Sequence, residues 1–291
     1  MQKGDIRKKM SKKLSGHIKA NLDKALTTAG DMALKRRARN VIEALELEDG
    51  DKVLEIGCGN GYYLSLLNRL GIKLQLTGID KDILALKDAA KFIRDERVKL
   101  VLDDASKLPF KTASFNRIVM SEVIEHVEDE EKVLKEAFRV LKTGGIMALT
   151  TCNIGYPFFW DPINWVLQHL FSTHIKSGFW AGIWNQHDRL YKKEQVDKLV
   201  RKAGFKIEES RYLTAYCLPF NHYIVNLIAK LFYSRLLPES IHKSMNKFQN
   251  NSQPFIIRIG FLMINLWDHL NDILPQKTGV SIFIKARKVK I

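Results

Sequence analysis

The sequence predicts a doubly wound α/β domain with apolar helical insertions, and three observations carry that expectation. Short, continuously apolar runs alternate with stretches of helical periodicity, a glycine-rich turn follows the first of these runs, and an acidic residue ends the second. Apolar runs of this length bounded by turns read as strands buried on both faces, because crossover helices cover both sides of a parallel sheet.

The elements follow in order. Residues 1–39 read as a basic N-terminal arm, with twelve Lys or Arg against three Asp, so that +9 of the formal net charge of +15 lies there. Such an arm is attracted to phosphate-bearing surfaces, whether lipid headgroups or nucleic acid. Ala38, Val41, Ile42 and Leu45 keep i, i+3, i+4, i+7 spacing and predict a helix leading into the Asp49-Gly50-Asp51 turn. Strands are expected at 53–56, 76–79, 100–102, 117–120 and 146–150. The helix after the fourth strand shows an apolar stripe of Val133, Leu134, Ala137, Phe138 and Leu141 behind an acidic first turn, with Gly144-Gly145 expected to close it.

Composition excludes several classes. With 46% hydrophobic residues the chain is not a disordered one. Cys58, Cys152 and Cys217 are far apart and in no C-x-x-C pattern, so no disulfide framework or cysteine zinc motif is expected, and a reducing, cytoplasmic setting suits them. The N-terminus lacks the apolar core of a secretory signal. Two C-terminal apolar stretches, 218–237 and 255–274, are interrupted by His222, Lys230 and Arg235 and by Arg258, Asp268 and Asp272, and read as interfacial or buried rather than membrane-spanning.

In a doubly wound sheet, ligands sit at the carboxyl ends of the strands. Val53-Leu54-Glu55-Ile56-Gly57-Cys58-Gly59-Asn60-Gly61 runs from a strand into a glycine turn and a helix, where missing side chains let the backbone approach a ligand and the helix N-terminus favours a carboxylate. Asp80 ends the next strand, where a carboxylate accepts hydrogen bonds from both ribose hydroxyls of an adenosine-containing cofactor. Gly57-x-Gly59-x-Gly61 lacks the G-x-G-x-x-G spacing of dinucleotide sites, which lowers NAD and FAD.

Residues 53–145 resemble the class I S-adenosylmethionine-dependent methyltransferases, especially the ubiquinone and menaquinone methyltransferases. The ordered motifs are VLEIGCGNG from Val53, GID from Gly78, DDASKLPF from Asp103, SFNRIVMSEVIEHV from Ser114 and RVLKTGG from Arg139. The chain departs from the pattern at Asn116, where Asp is usual, and at Thr143, where Pro is common. The resemblance continues through His187-Asp188-Arg189-Leu190-Tyr191 and a last strand at 280–286. It implies a Rossmann-like seven-stranded sheet with an antiparallel last strand, and S-adenosyl-L-methionine as cofactor. It also implies a binding set of Glu55, Gly57, Cys58, Gly59, Gly61 and Asp80, with Asp104 and Ala105 meeting the adenine and Ser121 and Glu122 beside the methionine part.

The resulting organisation is an arm over 1–39, a methyltransferase core over 40–213 with a lid insertion at 154–186, an apolar helical insertion at 214–278, and a final strand with a basic tail over 279–291. The lid segment carries Trp160, Trp165, Trp180 and Trp184. The later insertion carries a stripe of Ile224, Leu227, Ile228, Leu231 and Phe232, then a nearly continuous apolar run over 256–267. Apolar cover near the cofactor end reads as a lid over a greasy acceptor, against a larger core or a homodimer contact.

Glu122, Glu125 and His126 stand at i, i+3 and i+4, which one helical turn would gather on a single face. Their spacing resembles the metal-binding E-x-x-E-H of small-RNA 2′-O-methyltransferases and of some ubiquinone O-methyltransferases. His187 would complete a site for a divalent cation such as Mg2+; a purely structural Glu-His pair is the competing reading. Candidate catalytic residues are His187, Glu122 and His126. The expected function is methyl transfer to oxygen or carbon of a small lipophilic acceptor by a cytoplasmic protein peripheral to an anionic membrane surface. Methylation of nucleic acid (RNA 2′-O type) or of a soluble polar small molecule is the alternative.

Overall fold

In the computed structural model of the chain, the residues described are 16–27, 31–93, 95–185, 187, 189–217, 219–220, 223, 227 and 255–290. The first half of the basic arm, and most of the segment that carries the Ile224 to Phe232 stripe, lie outside them.

Seven strands form one sheet in the order β3-β2-β1-β4-β5-β7-β6. They are β1 (Lys52–Ile56), β2 (Gln75–Asp80), β3 (Val98–Leu102), β4 (Phe115–Ser121), β5 (Leu141–Cys152), β6 (Lys206–Leu213) and β7 (Ser281–Arg287). The first five pair in parallel, and β7 runs antiparallel to both of its neighbours. This is the expected Rossmann-like architecture, and every expected strand is present. The order reverses between β1 and β4, which opens a crevice at their carboxyl ends for a ligand.

Side chains alternate across each strand, so each strand feeds two cores. Leu54, Ile56, Ile118, Met120, Ile282 and Ile284 pack against α5 (Glu130–Val140) and α7 (Lys193–Lys202) through Val133, Leu134, Val196 and Val200. Val53, Val119, Ala148 and Phe283 face the opposite layer of α1 (Gly16–Leu26), α2 (Met32–Ala44) and α3 (Tyr62–Asn68). The other helices among the described residues are α4 (Ile83–Ile93), α6 (Pro162–Phe171) and α8 (Phe255–Ile273), with short 310 segments at Ile124–His126 and Phe179–Trp184.

The expected arm over 1–39 is joined to the core in its described part: Ile18, Leu22 and Leu26 of α1 and Ala33 and Ala38 of α2 are buried. One reading of the sequence is corrected here: Gly144-Gly145 does not close α5. The helix gives way directly to β5 at Leu141, and the glycines form an irregularity in the strand, where the register against β4 shifts after the Phe115 to Leu141 pair. A Cβ on Gly145 would stand 2.8 Å from the Asn116 carbonyl oxygen, so close strand approach sets that residue.

The cations of α2 turn inward. Arg36 Nε donates to Asp268 Oδ1 of α8 at 2.7 Å and Nη1 to Asp272 Oδ1 at 2.8 Å, while Lys35 Nζ lies 3.6 Å from Asp268 Oδ2. Burial opposes the charge on Arg36, but Asp272 and Asp268 more than offset it and hold the guanidinium ionised. At this contact Asp268 and Asn271 of α8 are buried, while Leu262, Leu266 and Ile273 are more than 60% exposed. No helix among the described residues is long and apolar enough to cross a membrane.

Candidate functional site

The glycine loop leaves β1 through three left-handed residues, Gly57, Gly59 and Gly61, with φ of +68°, +49° and +76°. Gly57 and Cys58 donate their amides to the Ile79 carbonyl, which ties the loop to β2. A Cβ on Gly57 would meet Val123 at 2.5 Å and one on Gly61 would meet Ile93 at 2.7 Å, whereas the Cβ position on Gly59 faces open space. The outer two glycines therefore serve packing, and the middle one leaves room for a ligand.

Asp80 braces this loop from β2. Its Oδ2 accepts from the Gly59 amide at 2.7 Å and its Oδ1 from Asp82 N at 2.9 Å. Each carboxylate oxygen keeps one lone pair for a further donor. Glu55 is buried and accepts from Leu64 N at 3.1 Å, so it joins α3 to β1; burial, then the nearby Asp80, pushes its carboxyl well above the usual range. Cys58 is buried with its thiol against the Cα of Gly78. After β3, Asp104 accepts from Ser106 N and is held below the usual carboxylate range by it, and Ala105 is half-buried against the core. Open space at Gly59 and the remaining lone pairs of Asp80 fit an adenosine-bearing cofactor.

The ends of β4 and β5 make the other half of the site. Ser121 Oγ lies 3.0 Å from Tyr63 OH and 2.8 Å from Thr150 Oγ1. Glu122 leaves the strand with φ of +56°, and the next turn is 310 rather than α-helical. The expected one-face grouping of Glu122, Glu125 and His126 is therefore not made by helix geometry. Instead, ligand atoms of Glu122, Glu125, Cys152 and His187 all lie within 4.8 Å of one another. The ring of His126 stacks on that of His187 at 5.0 Å.

This cluster is tightly built. Cys152 Sγ donates to Glu122 Oε2 at 3.0 Å and lies 3.6 Å from His187 Nε2, while Thr151 Oγ1 donates to Glu125 Oε2 at 2.9 Å. Burial, then the charge of Glu122, pushes Glu125 up to about 8. Arg37 of α2 reaches in, 3.5 Å from Glu122 Oε2, and donates to Ser281 Oγ at 3.1 Å. Its burial disfavours the charge, but Glu122 and Asp31 raise its pKa and keep it cationic. The motif after the lid locks the turn beneath: Arg189 pairs with Glu130 at 2.6 Å and bonds the Val127 carbonyl, and Tyr191 OH donates to the Ile124 carbonyl.

The lid segment sits over the end of β5. Tyr156, Trp160, Ile183 and Trp184 form a buried cluster with Cys152, Cys217 and Val280. Asp161 anchors it, accepting from Asn164 N and Ile183 N and from Tyr223 OH. Trp180 is exposed and Trp165 is half-buried.

Sequence reading missed Arg37, Tyr63 and Cys152. Cys152 ends β5, between the end of β4 and the start of β7, and its position at a strand's carboxyl end was the available signal. Arg37 gave none, because its run of cations masked which one turns inward.

Residues 54–149 match the family model described as a methyltransferase domain. The chain is 30% identical over 163 residues to the ubiquinone/menaquinone biosynthesis C-methyltransferase UbiE of Desulfotalea psychrophila, covering 54% of this chain and 65% of that protein. It is 28% identical over 163 residues to the human mitochondrial ubiquinone biosynthesis O-methyltransferase, covering 55% and 42%. The matches thus span less than two thirds of these relatives. Among solved structures, the [4+2]-cyclase SpnF superposes with a TM-score of 0.55 at 18% identity, covering 87% of this chain and 80% of that one, a likeness of fold. The motifs, the sheet order and these matches together support a class I S-adenosylmethionine-dependent methyltransferase domain built around residues 54–149, resembling the ubiquinone and menaquinone group.

Proposed function

We propose that this protein transfers a methyl group from S-adenosylmethionine to an oxygen or carbon atom of a lipophilic small molecule at a membrane surface. The observation that carries the reading is the buried aromatic cluster of the lid packed on Cys152, beside Glu122 and His187 at the carboxyl end of β5. The cofactor, when bound, supplies an electrophilic sulfonium methyl group. We assign its amino-acid end to the open side of the Gly57 to Gly61 loop at Gly59, its ribose to Asp80, its adenine to Asp104 and Ala105, and its methionine part to Ser121 and Glu122.

What remains for the protein is alignment and removal of a proton from the acceptor. Glu122 orients the acceptor beside His187, and His126, half-buried against the His187 ring, takes its proton. The outward leucine stripe of α8 supports a membrane setting, since an apolar face turned to solvent suits the boundary of a bilayer. Incubation with methyl-labelled cofactor and separated lipid, aqueous and RNA extracts tests the acceptor class. Label in the lipid fraction is expected; label confined to RNA or to the aqueous fraction would overturn it.

A further inference from the structure

The divalent ion implied by the E-x-x-E-H resemblance would be held by two carboxylates and two imidazoles, a set suited to a hard or borderline cation. The structure changes that set. His126 stands outside it, stacked on His187, and the thiol of Cys152 stands inside it. We propose that Glu122, Glu125, Cys152 and His187 bind one transition-metal dication of the Zn2+ and Co2+ class.

Three independent features support this. The first is spacing. Donors around a tetrahedral ion, with bonds of about 2.0 Å to nitrogen and oxygen and 2.3 Å to sulfur, stand roughly 3.3 to 3.8 Å apart. Cys152 Sγ to His187 Nε2, at 3.6 Å, falls in that range, Cys152 Sγ to Glu122 Oε2 is shorter at 3.0 Å and His187 Nε2 to Glu125 Oε1 longer at 3.9 Å, and all four donors lie within 4.8 Å of one another.

The second is an unmet need. Glu125 is fully buried, and its Oε1 has no hydrogen-bond partner among the described residues; Glu122 Oε1 is likewise buried and unpartnered. A buried carboxylate oxygen without a donor is costly, and a cation removes the cost. The third is the orientation of His187. Its Nδ1 lies 2.7 Å from the Ile183 carbonyl, so the ring proton sits on Nδ1 and the Nε2 lone pair is turned to the cluster. A backbone acceptor on the far nitrogen is how protein sites orient a metal-binding imidazole.

Charge agrees with the assignment. Glu122, Glu125 and a Cys152 thiolate carry three negative charges, and Arg37 beside Glu122 returns one, which leaves the balance a dication needs. As the ion binds, two protons leave for solvent: the thiol proton passes through Glu122 Oε2, its present acceptor, and Glu125, which burial holds protonated near neutral pH, gives up its own; no electrons are exchanged. Thiolate ligation selects against Mg2+, which demands oxygen donors. His126 stays free of the ion and keeps the proton-accepting role assigned to it.

Titration of Co2+ into the metal-stripped full-length chain tests this without reference to turnover. The expected result is one equivalent bound, with a thiolate-to-cobalt charge-transfer band in the near ultraviolet and visible bands of four-coordinate Co2+. C152S should lose the charge-transfer band, and H187A should weaken binding by about tenfold or more, while H126A should leave both spectrum and stoichiometry unchanged. S-adenosylhomocysteine binding by each variant reports that it folds. A wild-type chain that binds no Co2+, or a charge-transfer band that survives in C152S, would overturn the proposal. Since methyl transfer is not read, a chain that methylates lipid but takes no Co2+ refutes the metal site alone, and one that takes Co2+ but methylates nothing refutes only the proposed function.

Discussion

At the scale of single residues, the glycine loop separates two jobs that one motif performs. Gly61 sits in the left-handed region with Ile93 and Ala89 where a side chain would stand, so Gly61→Ala is expected to cost about 1–2 kcal/mol for the backbone and a further 1–3 kcal/mol or so for overpacking. Gly59→Ala meets only the backbone term but fills the space in front of the loop. Urea unfolding with and without S-adenosylhomocysteine checks this: Gly61→Ala should shift the midpoint by both terms, while Gly59→Ala should shift it by the backbone term alone, about 1–2 kcal/mol, and lose the stabilisation by ligand. Equal behaviour of the two would refute the division. Asp80→Ala should weaken cofactor binding by about 1.5–3 kcal/mol for each hydroxyl hydrogen bond lost, read by calorimetry. These residues were legible in the sequence because a strand, a tight turn and a helix leave few residue types able to serve. Cys152 and Arg37 were not, because their partners lie across the sheet and no local rule reports a contact between α2 and the end of β4.

At the scale of elements, α2 is a joint. Its Lys35 and Arg36 grip α8 while the next residue, Arg37, reaches Glu122. The side chains of Arg36 and Asp268 are each more than nine-tenths buried, so Asp268→Ala leaves a buried guanidinium short of its partner and should cost about 3–5 kcal/mol, seen as a lower urea midpoint. A shift within 0.5 kcal/mol or so would mean the site is wet and the pair ornamental. The helix periodicity of 38–45 was legible, yet the direction of the cations was not. A run of Lys and Arg reads as solvated until a partner with buried carboxylates appears more than two hundred residues later. In the same way, the spacing of Glu122, Glu125 and His126 suggested an α-helical turn, and the left-handed Glu122 followed by a 310 turn produced a different grouping.

At the scale of the whole molecule, the sheet order and the antiparallel β7 follow from alternation of apolar runs and from family motifs, while the surface that meets the surroundings had to be seen. With α1 and α2 packed into the core, the proposed membrane attraction would rest on the Leu262, Leu266 and Ile273 face of α8 and on the basic residues ahead of Gly16. Sedimentation with anionic vesicles should therefore fall in a Leu262→Glu, Leu266→Glu variant and, at low salt, in a chain beginning at Gly16; vesicle binding unchanged by both would refute this assignment. The central claim is that the crevice at the carboxyl ends of β1, β2 and β4 is an S-adenosylmethionine site facing an acceptor chamber under the lid. A crystal structure of the chain with S-adenosylhomocysteine tests it most directly. The account expects the ribose on Asp80, the amino-acid end on the Gly57 to Gly61 loop and the sulfur turned toward Ser121 and Glu122. Ligand density elsewhere, or a sulfur turned away from the cluster of Glu122 and His187, would contradict it.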